Sequence, residues 1–242
     1  MKKTFLEIKK LSKNYHTMTS EIEAINNLSM NVYENEILAI VGPSGCGKST
    51  LLSILANLEN KTDGEIIKDS NIKVGYMLQT DSLFPWLTIL NNTLIGLNKN
   101  NDTVINLLKK YGLYEFKDLY PSNLSGGMRQ RVALIRTLAI NPDLILLDEP
   151  FSALDYQTRL ALSNDLYNII KNEKKTAILI THDIAEAVSM ADRVIVLTKR
   201  PCKVKSIYEI NLNSKSNPID NRKDKNFNYY YDLIWRDLDV HI

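Results

Sequence analysis

The 242-residue chain lacks a hydrophobic run long enough to cross a bilayer. Its longest apolar stretches, Ile37-Leu38-Ala39-Ile40-Val41 and Leu144-Ile145-Leu146-Leu147, have the length of strands and fall far short of the roughly 20 residues a membrane helix needs. The first eight residues carry charge but no apolar signal core, so the expectation is a soluble, cytoplasmic protein whose link to a membrane comes through a partner. An excess of one charge is also missing: 30 Lys and Arg stand against 28 Asp and Glu, and no basic run resembles a nucleic-acid tract. Nucleic acid is therefore not expected as a partner. Only two cysteines occur, Cys46 and Cys202, which fits a reduced compartment better than a disulfide. Cys46 reads as a small residue tolerated in a loop, in preference to a redox switch. Glycine is scarce as well, and five of the nine glycines fall in two short motifs. What is plentiful is apolar residue, at 44%, enough for a core without covalent staples.

The order of patterns along the chain argues for an α/β fold. Phe5 to Leu11 and Leu28 to Val32 alternate loosely and read as strands of an outer antiparallel sheet, with a loop at Asn14 to Ile22 between them. Ile37 to Val41 is a continuous apolar strand followed by a glycine-rich loop, and Leu51, Leu52, Ile54, Leu55 and Leu58 then keep helical spacing. Lys73 to Leu78 reads as a strand ending at Gln79, and the proline of Leu83-Phe84-Pro85-Trp86 breaks the pattern. Helical signals dominate from Thr88 to Leu138, with Gly112 and Pro121 as stops. Strand character returns at Leu144 to Asp148, Ala177 to Thr181 and Arg193 to Thr198, with helices near Gln157 to Lys171 and Ile184 to Met190 between them. That alternation predicts right-handed crossovers and a mostly parallel sheet. Val204 to Leu212 reads as an edge strand, 213–226 as polar, and Phe227 to Leu238 as a terminal helix.

Two glycine motifs suit phosphate. Gly42-Pro43-Ser44-Gly45-Cys46-Gly47-Lys48-Ser49 fits the phosphate-loop pattern, in the strand-to-helix setting that pattern requires, and Thr50 follows it. Glycines let the backbone wrap a β-phosphate, Lys48 offers positive charge to β and γ oxygens, and Ser49 can ligate Mg²⁺. The second motif, Leu124 to Arg131, makes a helix start with Ser125 as N-cap and Gly126 and Gly127 open to an anion, yet has no lysine to complete a site. One whole and one partial anion site suggest that two copies of the chain share each nucleotide. Asp148 and Glu149 end an apolar strand where a parallel sheet presents ligand sites. Asp148 suits a Mg²⁺ shell through water, and Glu149 suits a general base polarising the attacking water. His182 ends another core strand on the same sheet edge and is read as a γ-phosphate contact, whereas His16 and His241 have no such setting. Gln79 could bind Mg²⁺ or the water and report γ-phosphate to the segment after it. Tyr15 could stack on a base through its ring. The cluster Tyr229 to Tyr231 with Trp235 reads as packing.

With these residues assembled, nearly the whole chain resembles the ATP-binding subunit of an ABC transporter. Gly42 to Thr50 resembles the Walker A motif, Gln79 the Q-loop, Leu124 to Gln130 the family signature, and Leu144 to Glu149 Walker B. Ser152-Ala153-Leu154-Asp155 resembles the D-loop, His182 the switch histidine, and Tyr15 the adenine-stacking aromatic. The resemblance implies a P-loop NTPase: one domain over 1–242, with a nucleotide-binding core at 1–79 and 139–212, an antiparallel β part, a helical signature insert at 80–138, and a short tail at 213–242. It implies ATP and Mg²⁺ as cofactors and a head-to-tail dimer, either a homodimer or a heterodimer with a paralogue. In that dimer Ser125, Gly126 and Gly127 of one subunit face the γ-phosphate held by Lys48 of the other. Gln79 to Trp86, with Asn91-Asn92 and Lys199-Arg200-Pro201, resembles the nitrate, sulfonate and taurine importer branch, which includes carriers of pyrimidine vitamin precursors. That branch implies a membrane permease, an extracytoplasmic substrate-binding protein, and a seat on the inner face of the membrane. An exporter or lipid-extraction ATPase is the alternative with the same chemistry. Two positions depart from the family pattern, Asn35 and Cys202, each where glycine is usual.

Overall fold

In a computed structural model, which describes residues 2–16, 20–97, 102–152, 154–213 and 216–238, the chain forms two sheets flanked by helices. Strands β1 (Thr4–His16), β2 (Glu21–Tyr33) and β4 (Asp63–Lys68) make an antiparallel sheet in the order β2-β1-β4. The expected loop at Asn14 to Ile22 is mostly strand, because Asn14 pairs with Glu23, Tyr15 with Ile22 and His16 with Glu21. Tyr15 thus sits on a strand. The third strand, β4, has no sequence signal: none of its residues is buried, and its sides alternate only between exposed and half-exposed.

The larger sheet runs β5-β6-β7-β3-β8-β9, built from β3 (Ile37–Val41), β5 (Val74–Met77), β6 (Leu144–Asp148), β7 (Thr176–Ile180), β8 (Arg193–Leu197) and β9 (Val204–Glu209). The first five in that order run parallel, and β9 closes the edge antiparallel to β8. Largely apolar runs, buried along their whole length, make β3, β6, β7 and β8 because both faces are covered. Ile37, Ala39 and Val41 join one buried cluster with Ile145, Leu147, Ala177 and Leu179. Leu38 and Ile40 join another with Leu144, Leu146, Ile178 and Ile180, under the antiparallel sheet.

Helices fill the crossovers and the tail: α1 (Lys48–Leu55), α2 (Ile89–Thr93), α3 (Asp102–Lys110), α4 (Gly126–Ala139), α5 (Tyr156–Asn172) and α6 (Ile184–Met190) precede the last strand, and α7 (Pro218–Asn221) and α8 (Phe227–Asp237) follow it. The first ends three residues before Leu58, which is 69% exposed, since Asn57 turns left-handed at φ 57° and stops the helix. Single 3-10 turns at Tyr114–Phe116 and Pro121–Asn123 punctuate the segment between α3 and α4. The tail read as polar contains α7, seated by a buried Asn221 whose Nδ2 donates to the Ser189 carbonyl at 2.7 Å. This topology brings the C-terminal ends of β3, β5, β6 and β7 to one edge, and those ends carry the chemistry-bearing residues.

Candidate active site

The loop from Gly42 to Gly47 leaves β3 and closes on the first residue of α1. Lys48 is buried and its Nζ donates to the carbonyls of Gly42 at 2.8 Å and Pro43 at 2.9 Å, so the ammonium is held inside the loop. Gly47 has φ 123°, and a Cβ there would come within 2.9 Å of the Ala24 carbonyl. No other residue fits that position. Ser44, Gly45, Ser49 and Thr50 line a cleft of about 340 Å³ with Gly47 and Lys48, and Gln79 and Glu149 close its far side. Gly42, Cys46 and most of Pro43 lie beneath the cleft as its support.

The opposite wall comes from three strand ends. Glu149 follows β6, with its amide donating to the Ile180 carbonyl of β7 at 2.9 Å and with φ 46°. A left-handed glutamate costs about 1–3 kcal/mol and persists where surrounding structure holds it. Its Oε2 lies 3.0 Å from His182 Nδ1 and accepts from Gln79 Nε2 at 3.2 Å. One carboxylate oxygen thus joins the ends of β5, β6 and β7. His182 remains more than half exposed, with its ring reaching out of the wall.

Asp148 is buried beside them. Burial pushes its carboxyl above the usual aspartate value, while a hydrogen bond from Ser49 and the Lys48 charge act in the opposite sense. The Tyr76 hydroxyl donates to Asp148 Oδ2 at 3.4 Å. A desolvated carboxylate beside the phosphate loop fits a hard cation brought in with phosphates. Mg²⁺ keeps several waters and needs one or two protein oxygens besides phosphate. Among the described residues no three His, Cys, Asp or Glu side chains gather as a self-contained metal cage.

The second glycine motif stands apart. Ser125 caps α4, accepting from the Met128 amide at 3.3 Å, and Ser125 and Gly126 are exposed. With Gly127, Asp155 and Thr158 they line a cleft of about 250 Å³ that shares no residue with the first. Gly127 packs the starts of α4 and α5 together, since a Cβ on it would meet Thr158 Cγ2 at 2.9 Å. Tyr15 lies outside both clefts, half-buried, with Lys13 Nζ 4.7 Å from its ring centre. Ala153 of the D-loop and His241 fall outside the described residues.

Several side chains escape a reading of local pattern. Arg159 of α5 donates from Nη2 to the Leu154 carbonyl at 3.2 Å and from Nη1 to Asp183 Oδ2 at 3.2 Å, with its Nε 3.9 Å from Glu186 Oε1. Glu186 is buried and accepts from Thr181 Oγ1 at 2.7 Å. These contacts tie the segment after Glu149 to the residues on both sides of His182. Asn92, fully buried, accepts from the Phe84 amide at 2.8 Å and donates to the carbonyls of Phe84, Leu87 and Thr88, which fixes the exposed Phe84-Pro85-Trp86 turn. Arg136 and Arg129 grip the preceding Asp81, the latter from Nε to Oδ2 at 2.9 Å, so the stretch after Gln79 rides on α4. Arginines on a helix give no such signal in sequence.

A parallel sheet whose strand ends carry a phosphate loop, a buried aspartate and a histidine-paired glutamate defines a nucleoside triphosphatase of the P-loop class. Residues 25–152 match the family model described as ABC transporter, and the chain belongs to that family: it is an ATPase that takes ATP with Mg²⁺. The chain is 37% identical to the aliphatic sulfonates import ATP-binding protein of Bacillus thuringiensis, over 88% of each chain. It is 40% identical to the formylaminopyrimidine import ATP-binding protein of Halalkalibacterium halodurans, over 83% of this chain and 82% of the other. Identity to the nitrate import ATP-binding protein of a Synechocystis strain is 38%, over 93% and 87%. Among solved structures, the dimeric ATP-binding cassette MJ0796 bound to ADP and phosphate in a post-hydrolysis state superposes with a TM-score of 0.76 at 33% identity, covering 86% of this chain and 99% of that one. The likeness to these import subunits bears out the expected importer branch, and no helix among the described residues is long and apolar enough to cross a membrane.

Proposed function

We propose that the chain powers uptake of a small organic or anionic solute by hydrolysing ATP in a head-to-tail dimer attached to a separate permease at the inner face of the membrane. The observation that carries the hydrolytic part is the single Glu149 oxygen shared by His182 and Gln79 on the wall facing Lys48. Glu149 takes the proton of the attacking water, and the bond between the γ-phosphorus and the ADP oxygen breaks as the new P–O bond forms. His182 steadies the γ-phosphate, and Gln79 orients the water while sensing whether that phosphate is present. Lys48 and the amides of Ser44 to Ser49 hold the β- and γ-phosphates, and Tyr15 stacks on the adenine. Ser49, Gln79 and, through water, Asp148 would hold Mg²⁺, which would supply positive charge to the phosphate oxygens.

The relatives named for sulfonate, formylaminopyrimidine and nitrate stand at nearly equal identity, 37%, 40% and 38%. An ATPase subunit does not touch the cargo, so these values support import and leave the solute to the permease and an extracytoplasmic binding protein. Phe84 and Trp86, 40% and 69% exposed with rings 5.2 Å apart, form the apolar knob we assign to the permease contact. The direct test is Glu149→Gln. That variant should bind ATP as the parent does while turnover falls at least about a hundredfold, the lower end of general-base effects. Near-normal turnover would remove Glu149 from the role of base.

A further inference from the structure

The two cysteines, far apart in sequence, meet beneath the phosphate loop. Cys46 is 1% exposed and Cys202 wholly buried, and the two thiols lie close enough to perturb each other. Backbone bonds fix residue 202 in place: its amide donates to the Ala24 carbonyl at 3.0 Å, and its carbonyl accepts from the Asn26 amide at 3.1 Å. A Cβ built on Gly47 would lie 3.4 Å from the Cβ of Cys202, so the Cys202 side chain rests on the loop backbone next to Cys46. Lys48 Nζ stands 4.0 Å from Cys46 Sγ. The hydrogen bond from Cys202 and the Lys48 charge draw the Cys46 thiol down to about 6, whereas Cys202 is pushed up by that same bond and by burial. Cys46, with the Lys48 ammonium at its sulfur, is placed as the attacking cysteine and Cys202 as the resolving one.

We propose that Cys46 and Cys202 are a peroxide-sensitive pair whose disulfide switches off the phosphate loop. The oxidant is hydrogen peroxide. The Cys46 thiolate attacks one peroxide oxygen, the O–O bond breaks, and the departing hydroxide takes up a proton to leave as water. The Cys202 sulfur then attacks the Cys46 sulfenic acid, giving its proton to the hydroxyl that leaves as a second water, and the S–S bond forms. Two thiols are oxidised and one peroxide is reduced. A disulfide bond is about 2.05 Å long, so closing it draws Cys46 towards Cys202 from non-bonded separation. Cys46 also anchors the loop turn, its amide donating to the Pro43 carbonyl at 3.3 Å. The displacement takes the amides on either side of Cys46 off the β-phosphate. Misplacement by about 1 Å costs about a hundredfold in rate. Bound nucleotide covers the exposed loop residues Ser44 and Gly45, the route to Cys46, and so protects the pair.

The inference rests on the loop binding ATP, and the experiment separates the two. Reduced full-length protein is exposed to hydrogen peroxide with and without ATP and then freed of oxidant. ATPase rate, free thiols in denaturant and the mass of a Cys46–Cys202 linked peptide are measured before and after dithiothreitol. Expected are a loss of both thiols, a linked peptide two hydrogens lighter than its parts, an about hundredfold fall in rate, recovery on reduction, and protection by ATP. Cys202→Ser, and Cys202→Ala as its companion, should hydrolyse ATP when reduced and show no loss that reduction reverses. Two free thiols after peroxide overturn the switch, as does a linked peptide with full activity, or an inactivation that Cys202→Ser shares and reduction restores. A reduced protein that hydrolyses no ATP would instead sink the ATPase reading, and the peptide mass would still decide the disulfide.

Discussion

Asp148 shows how a single residue trades stability for chemistry. Its carboxyl is raised by burial above the ordinary aspartate value of 3.8, which means that the folded chain holds the proton more tightly than the unfolded chain does. Stability from that group is therefore present at low pH and lost as pH rises through the folded value. At neutral pH the nucleotide-free protein carries a desolvated charge. Asp148→Asn removes it, so the variant should melt higher than the parent at pH 7 without nucleotide, and the gap should narrow as pH falls towards 3.8. Its Mg²⁺-dependent turnover should fall at least about a hundredfold, since the ion's charge stabilisation is worth several kcal/mol. Calorimetry across pH with a parallel rate measurement checks both halves, and a variant that melts lower at pH 7 would refute the burial argument. Other single residues are set by backbone alone. Asn35 has φ 60°, a conformation asparagine tolerates better than most residues. Glu149 is no such case, and its left-handed backbone is held by the bond from its amide to the Ile180 carbonyl.

At the scale of elements, what was legible followed burial on both faces. The strands β3, β6 and β8 and the helix α6 carry unbroken or strongly periodic apolar residues, and their limits agree with the sequence reading to within a residue. The hairpin of β1 and β2 was read too short because left-handed Lys10 and Asn27 shift its register and blur the period of two. The motif residues of the cleft were legible because phosphate chemistry demands particular side chains at fixed spacing. Their support was not, because it is tertiary. Arg159 joins α5, the segment after Glu149 and the start of α6 through Leu154, Asp183 and Glu186, a set that no local pattern links. Arg159→Met leaves the buried Glu186 without its ion-pair partner and should cost about 1–3 kcal/mol. Glu186→Gln in that background should recover part of the loss, with a coupling of about 0.5–3 kcal/mol for residues in one network. Denaturant unfolding of the four proteins in the cycle gives the value, and strict additivity would mean that Arg159 does not hold Glu186.

The whole molecule presents two phosphate-suited clefts that share no lining residue, and only one of them has a lysine. Joining them takes a second chain, and the cassette that superposes on this one at a TM-score of 0.76 was solved as a dimer. In the head-to-tail pair proposed above, the exposed Ser125 and the amides behind it would cover the γ-phosphate held on the partner's loop. Ser125→Glu tests this without disturbing the monomer. It removes an N-cap worth about 1 kcal/mol but adds an anion at a helix N-terminus, which returns about 0.3–1 kcal/mol. The fold should therefore survive. In the dimer the new carboxylate would face the phosphate of the partner's ATP, where like charges in a closing, water-poor interface repel. Placed in the Glu149→Gln background, so that ATP persists, the parent should double its mass in light scattering when ATP is added. The Ser125→Glu variant should stay monomeric while binding ATP with unchanged affinity in calorimetry. A double variant that still doubles its mass on ATP addition would show that Ser125 does not meet the nucleotide across the interface.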